Sequence, residues 1–369
     1  MAAERELGYA VVGLGHIAQT EVLPAFARAR GARLSALVSG EREKREELGR
    51  TYGVKQLYGY DDFDACLASD DVDAVYIALP NDLHCEYTVR AARAGVHVLC
   101  EKPMATSEDE CRAMIRACAD AGVQLMIAYR LHFEPANLEA IELLHSGEIG
   151  ALRSFSSTFG YQIRPGNIRT SSAHGGGPLW DLGPYCVNAA RYLFGDEPEE
   201  VFAWTAGGSG DARFSQVEAS ATAVLRFARD RLATFTVDYD CNAISTYRVV
   251  GTRGDLTLDE AYEYAAPRRM RVRRGDTAEE RTFPVVDQFA PQLAYFAACI
   301  RDHREPGPSG EEGLADVRVI RAIFRSAAEG APVRLPPFRR SRRPSPGQAR
   351  TVQAHGEPPT VDVQAPHAD

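Results

Sequence analysis

The stretch "YAVVGLGHIA", residues 9–18, constrains the fold more than any other part of the chain. A short apolar run ends in Gly13, Gly15 and Ala18, spaced G-x-G-x-x-A, and a helical pattern follows at once. In a strand–turn–helix unit each small residue has its own task. The first glycine makes the tight turn, the second lets backbone N–H groups approach a pyrophosphate, and the third small residue packs helix against strand. The pattern alone would be an ordinary glycine turn; its context makes it specific. Four further apolar runs, "RLSALVSG", "VDAVYIALP", "VHVLCEKP" and "VQLMIAYR", recur between helical segments as far as residue 130. Ser107 and Glu110 form a capping-box pattern at the start of the last of these helices. Such alternation predicts an N-terminal doubly wound parallel sheet over residues 1–128, a Rossmann domain.

After Arg130 the rhythm changes. A helix, "EPANLEAIELLHSG", leads through "ALRSFSSTFGY" and a loop to a glycine segment. Alternating strands then follow from "EASATAVLRF" to "RMRVRRG", and a late helix, "DVRVIRAIFRSAAEG", closes the domain. This predicts an α+β domain over 129–337 on a large, mainly antiparallel open sheet. Thr234, Thr236 and Asp238 alternate with Phe235, Val237 and Tyr239, giving one apolar and one mixed face. The mixed face is expected to pair with another subunit's sheet in a homodimer or homotetramer. Residues 338–369 show no periodicity and are expected to be a disordered tail.

The chain's 369 residues are enough for about two domains. Its formal net charge of −9, with no basic stripe in the folded part, argues against a nucleic-acid partner. No apolar run approaches the length of a membrane span, and no signal peptide is read at the N-terminus. The eight cysteines include no CxxC pair and the nine histidines no HxH or HxxxH pair. Reduced thiols, a cytoplasmic location and no metal site are the expectation.

The end of the second strand bears on which dinucleotide fits. An NAD site wants a carboxylate there for the ribose 2′-hydroxyl. This chain has "VSGEREK" instead, with Ser39, Gly40, Arg42 and Lys44, a set that suits a 2′-phosphate. Glu41 and Glu43 dilute the signal, and a solvated charge run at a helix start is the other reading. NADP is the expected cofactor. Gly13, Leu14, Gly15, His16 and Ile17 of the fingerprint should line its groove. So should Leu79, Pro80, Asn81 and His84 after the third strand, Glu101 and Lys102 after the fourth, and Arg130 after the fifth. His16 reads equally well as a surface residue.

Topology places Lys102, in "CEKP", at the carboxyl edge of the parallel sheet, where ligands of such folds bind. Some 80 residues on, "HGGGPLWDLGPY" sets Asp181 and Tyr185 four apart after Gly175, Gly176 and Gly177. Together these segments, with "VDAVYIALPNDLH", "HVLCEKPMATS", "LMIAYRLHFEPAN" and "GEEGLADVRVIRAI", resemble the glucose–fructose oxidoreductase and inositol dehydrogenase family. The likeness runs from Tyr9 to about Val333 and is strongest to the glucose–fructose oxidoreductase branch. It implies that Lys102 and Tyr185 are catalytic, that Asp181 supports them, and that Ser39 and Lys44 hold the 2′-phosphate.

Elementary chemistry agrees with those roles. Oxidation of a C–OH by hydride transfer needs a base for the hydroxyl proton, and a neighbouring ammonium favours the phenolate form of a tyrosine. Tyr129, Arg169, Lys102, Asp181 and Tyr185 are the expected substrate contacts. Asn81, His84, Tyr129, Arg130, His132 and Arg169 are also candidates to line the sugar site, and each reads equally as a domain-interface residue. The expected activity is NADP-dependent oxidation of a cyclic sugar, an aldose at C1 to its lactone. A glucose–fructose-type transhydrogenase and a dihydrodiol dehydrogenase are the enzymatic alternatives, and a non-catalytic NADP-sensing regulator is the rival from another class.

Overall fold

The computed structural model describes residues 5–340, 343–349 and 351–367. They form two compact units. The first comprises Met1–Arg130, Asp287–Leu314 and Val352–Ala365; the second comprises Leu131–Val286, Ala315–Thr351 and Pro366–Asp369.

The first unit is built on six strands: β1 (Leu7–Val12), β2 (Ala32–Val38), β3 (Gln56–Tyr58), β4 (Ala74–Ile77), β5 (His97–Cys100) and β6 (Leu125–Ile127). All pairings are parallel, in the order β3-β2-β1-β4-β5-β6. The chain winds outward from β1 to β3, then returns to start the other half at β4. The loops after β1 and β4 therefore flank the point where strand order reverses, where doubly wound sheets bind ligands. Tyr9–Val12 and Ala74–Ile77 are fully buried, as expected of central strands covered on both faces. β3, three residues long, was too short to read in the sequence. The hydroxyl of Ser107 accepts from the Glu110 N–H at 3.2 Å and donates to its Oε2 at 2.9 Å, so the expected helix start is real.

Two boundaries depart from the sequence expectation. Asp287–Leu314 belongs to the first unit, not the second. Its helix Phe289–Arg301 buries Leu293 and Phe296 completely, and the Tyr9 hydroxyl of β1 reaches the Leu293 carbonyl at 3.4 Å. The tail is the other departure. Residues 338–369 were expected to be disordered, and 341, 342, 350, 368 and 369 lie outside the described residues. The described remainder is engaged: the Val352 carbonyl accepts from the Asp287 N–H at 2.9 Å, and Val361 pairs with Gln19. Polar capture of the backbone, which has no sequence period, replaces apolar burial here.

The second unit carries β7 (Leu152–Gly160), β8 (Pro198–Ala206), β9 (Ser220–Phe227), β10 (Arg231–Asp238), β11 (Ile244–Gly251), β12 (Gly254–Asp259), β13 (Arg268–Arg274), β14 (Thr277–Phe283) and β15 (Val333–Arg334). Their order is β14-β13-β12-β11-β7-β10-β9-β8-β15, and every pairing is antiparallel except β10 with β7. Phe155, Phe235, Val237, Leu225 and Val249 bury one face, against which the helix Gly183–Phe194 packs. On the other face the hydroxyls of Thr222 and Thr236 meet at 2.9 Å, and Trp204 and Leu232 are exposed. In the same unit Arg164 pairs its N–H with the Pro366 carbonyl at 2.9 Å.

Among the described residues no helix is long and apolar enough to cross a membrane, and no cluster of three or more His, Cys, Asp or Glu could hold a metal.

Candidate active site

The turn after β1 is built as its glycines require. Gly13 has φ +92°, and a Cβ there would stand 2.5 Å from the Ala78 carbonyl oxygen. Only glycine fits both the left-handed backbone and the approach to the loop after β4. Gly15 is exposed, and a Cβ on it would meet nothing within 4 Å. The turn thus keeps its outer side clear for a bulky group, and it fits a pyrophosphate at the start of the following helix. Leu14 is buried behind it; His16 and Ile17 are half-exposed at the helix start.

At the end of β2, Ser39 and Lys44 are buried although polar. The Ser39 hydroxyl accepts from the Glu41 N–H at 3.3 Å, and Lys44 Nζ sits 2.7 Å from Glu41 Oε1. Arg45 reaches the Ser39 carbonyl at 2.8 Å, and the Tyr60 ring lies 3.3 Å from where a Gly40 Cβ would be. Neither Arg45 nor Tyr60 was singled out in the sequence. Arg42 was, yet it is directed along its own helix to Glu46 at 2.7 Å, with its side chain largely in solvent.

Beyond the switch point, two expected cofactor residues act as struts. His84 is fully buried, with Nδ1 2.8 Å from the Pro103 carbonyl and Nε2 2.9 Å from that of Leu79. The ring is thus held between two loop carbonyls, to one of which its single N–H donates when neutral, and burial outweighs the pull of those carbonyls and lowers the imidazole's affinity for a second proton. Glu101 accepts from the Tyr76 hydroxyl at 2.5 Å through Oε1 and from the Lys102 N–H at 3.2 Å through Oε2. Gln292 donates to the same Tyr76 oxygen at 3.4 Å. A buried polar chain therefore fixes the backbone that presents Lys102, whose own side chain is half-exposed. Asn81 opens the short 3₁₀ turn after Pro80. Tyr129 is buried, and Arg130, also buried, is bonded to Gln288.

In the second unit the glycine segment is forced by close packing. Gly177 has φ +103°, and a Cβ there would lie 2.6 Å from Glu218 Oε1. The same oxygen accepts from the Leu179 N–H at 3.0 Å. A Cβ on Gly176 would stand 2.4 Å from the Arg169 carbonyl oxygen. These contacts steer the chain into the helical turn Pro178–Asp181 and then the helix Gly183–Phe194, which carries Tyr185 in its first turn.

Asp181 Oδ2 receives three donors: Tyr239 Oη at 2.7 Å, Arg169 Nε at 3.0 Å and Tyr161 Oη at 3.2 Å. Burial first, then the negative charge of Asp181, push both phenols well above their ordinary pKa, so they remain protonated donors. Tyr161 and Tyr239 directly follow β7 and β10, and no sequence pattern marks them as site residues. The Tyr185 ring stands edge-on to Phe159 at 5.4 Å and beside Tyr262 at 5.9 Å. The half-exposed position of Tyr185 distinguishes it from the fully buried Tyr262. His132 is buried and bonded to Asn188 at 2.7 Å, and Asn188 to Asp316 at 3.0 Å, so it belongs to the core of this unit.

A six-stranded parallel dinucleotide-binding sheet joined to a unit with a large open sheet is the architecture of a two-domain oxidoreductase. The chain belongs to the GFO/IDH/MocA family: residues 7–129 match its oxidoreductase-family NAD-binding Rossmann fold and residues 137–257 its C-terminal domain. It is 34% identical to D-xylose 1-dehydrogenase (NADP(+)) 2 of Haloferax volcanii over 332 residues, 89% of this chain and 99% of that protein. Among solved structures it is similar to aldose-aldose oxidoreductase from Caulobacter crescentus complexed with glycerol. There the identity is 42% and the TM-score 0.86, over 90% of this chain and 100% of that one. A 3-ketoreductase from Actinomadura kijaniata, in complex with NADP and TDP-benzene, is 28% identical with a TM-score of 0.81, over 87% of this chain and 98% of that one.

Proposed function

We propose that the protein is an NADP-dependent oxidoreductase of cyclic sugars that oxidises an aldose at C1 to its lactone. The observation that carries the cofactor choice is the end of β2. Ser39 and Gly40 stand where a carboxylate would bind a ribose 2′-hydroxyl, with Lys44 and Arg45 beside them. The sugar class is supported by the relatives, one named as an NADP-dependent xylose dehydrogenase and another as an aldose-aldose oxidoreductase. When bound, the dinucleotide supplies the acceptor for the hydride from C1.

The chain's own residues handle the proton and the substrate's position. Tyr185 takes the proton of the anomeric hydroxyl, and Lys102 is its proposed catalytic partner at the sugar. This requires both side chains to reach the same sugar carbon. Asp181, already bound by Arg169, Tyr161 and Tyr239, is a positioning residue that anchors the turn before Tyr185. Arg169 and Tyr129 are the proposed sugar contacts outside it. The likeness to an aldose-aldose oxidoreductase favours a second reading, in which one retained cofactor oxidises one sugar and reduces the next. A panel of aldoses incubated with NADP or NAD tests both. NADPH formation supports the dehydrogenase. Equal yields of lactone and alditol without added cofactor support the second reading. Reduction of NAD in preference to NADP refutes the cofactor assignment.

A further inference from the structure

The C-terminal segment returns to the dinucleotide-binding unit and is fastened there at three points. The Val352 carbonyl accepts from the Asp287 N–H at 2.9 Å. His355 Nε2 lies 3.5 Å from Glu21 Oε2. Val361 is held twice by one side chain: its N–H donates to Gln19 Oε1 at 2.7 Å, and its carbonyl accepts from Gln19 Nε2 at 3.0 Å. That side chain is fully buried, and its amide nitrogen also donates to the Leu14 carbonyl at 2.7 Å. Leu14 lies between Gly13 and Gly15 of the fingerprint turn. A single buried amide thus ties the tail backbone to the turn proposed to hold the pyrophosphate.

The contact is specific in chemistry as well as place. A primary amide that offers N–H and C=O to the C=O and N–H of one residue reproduces a strand pairing. If Val361 left, both groups of the amide would lose those partners at once. His355 adds to a polar cluster in the same unit, where Arg130 and Asp287 also act on the Glu21 carboxylate.

We propose that residues 352–361 form a strap fastened to the fingerprint turn, with Gln19 as its latch, which slows release of the bound dinucleotide. The inference rests on the cofactor reading above and adds that exchange is limited by the chain's own tail. It gives physical content to a cycle in which one cofactor serves two sugars in succession.

The test compares three proteins: the full chain, a chain ending at Thr351, and the full chain with Gln19→Leu. Each is loaded with NADPH, and release is followed by stopped-flow fluorescence on mixing with excess NADP. Release should be at least tenfold faster from the shortened chain and severalfold faster from Gln19→Leu. Circular dichroism and a cooperative melt check that each is folded. If the shortened chain does not fold, Gln19→Leu decides alone, since it keeps the whole tail. Release within twofold of the full chain from every folded variant overturns the strap while leaving the cofactor reading intact. A full chain that binds NADH in preference to NADPH overturns the 2′-phosphate reading alone. The same comparison made with NADH then decides the strap by the same criteria.

Discussion

Replacing Glu218 by glutamine should stabilise the protein at pH 8 and leave it nearly unchanged at pH 5. Burial raises the Glu218 carboxyl from an ordinary 4.5 to about 7, against the opposing effect of backbone hydrogen bonds that include the one from Leu179. None of the described residues supplies a compensating cation. The sign follows from proton binding. Below about 4.5 the group is protonated in both folded and unfolded chains and costs nothing. Between about 4.5 and 7 the unfolded chain ionises while the folded one resists, so stability falls as pH rises, and above about 7 the penalty is complete. At about 1.4 kcal/mol per unit, the shift corresponds to roughly 3 kcal/mol. Glutamine keeps a carbonyl to accept the Leu179 N–H and removes the charge. It also adds an N–H₂ whose incomplete pairing offsets on the order of 1 kcal/mol. A net gain of about 1–2 kcal/mol at pH 8 is expected, read from denaturant melts of both proteins at the two pH values. Equal destabilisation at both pH values would refute the reasoning, because it would mean that the carboxylate is compensated. A stabilised variant with slower turnover would show why a costly group beside Gly177 is kept.

Other outcomes follow from the same geometry. Tyr185→Phe should lower kcat by about 10²–10⁴-fold with NADPH affinity nearly unchanged, since only the proton acceptor is lost; activity within about threefold of wild type would make Tyr185 structural. Lys44→Ala should weaken NADP binding by roughly tenfold to 150-fold, the worth of a charge-assisted contact of about 1.5–3 kcal/mol, and change NAD binding little in a titration. Gly13→Ala should abolish binding of either dinucleotide, because the new Cβ would stand 2.5 Å from the Ala78 oxygen; calorimetry checks this. Light scattering should show a dimer or tetramer for the wild type and a smaller species for Trp204→Asp, which places a charge on the exposed sheet face.

What the sequence revealed follows the reach of each interaction. The fingerprint, the capped helix after Ser107 and the alternation of Phe235 and Val237 with Thr234 and Thr236 are local, so periodicity and spacing exposed them. The partners of Asp181 are not local: Tyr161 lies 20 residues before it and Tyr239 58 after, and only the pairing of β7 with β10 sets them side by side. The helix Phe289–Arg301 escaped because apolar residues occupy most of its circumference, leaving no amphipathic period to detect. Arg42 stands nearer the strand end in the sequence, yet its guanidinium is held by Glu46 along the helix while Arg45 reaches back to the Ser39 carbonyl, a choice of partner that spacing does not reveal. The tail misled because its composition is that of a disordered segment, whereas its hold on Gln19 uses backbone groups that every residue type has.

The ends of the nine-stranded sheet bear on how copies of the chain can meet. β15 offers only two residues to a newcomer, and β14 alternates Glu279, Glu280 and Arg281 along an almost wholly exposed strand. Arg281 is tied back to Glu139 and Glu279, so an incoming strand would have to strip those charges of water and partners. Both rims therefore resist extension by strand addition, the route that leads to open-ended polymers. The exposed apolar side chains of the sheet lie instead on its broad face, at Trp204 and Leu232. The same sheet that gives the second unit its breadth thus closes both of its rims to strand addition.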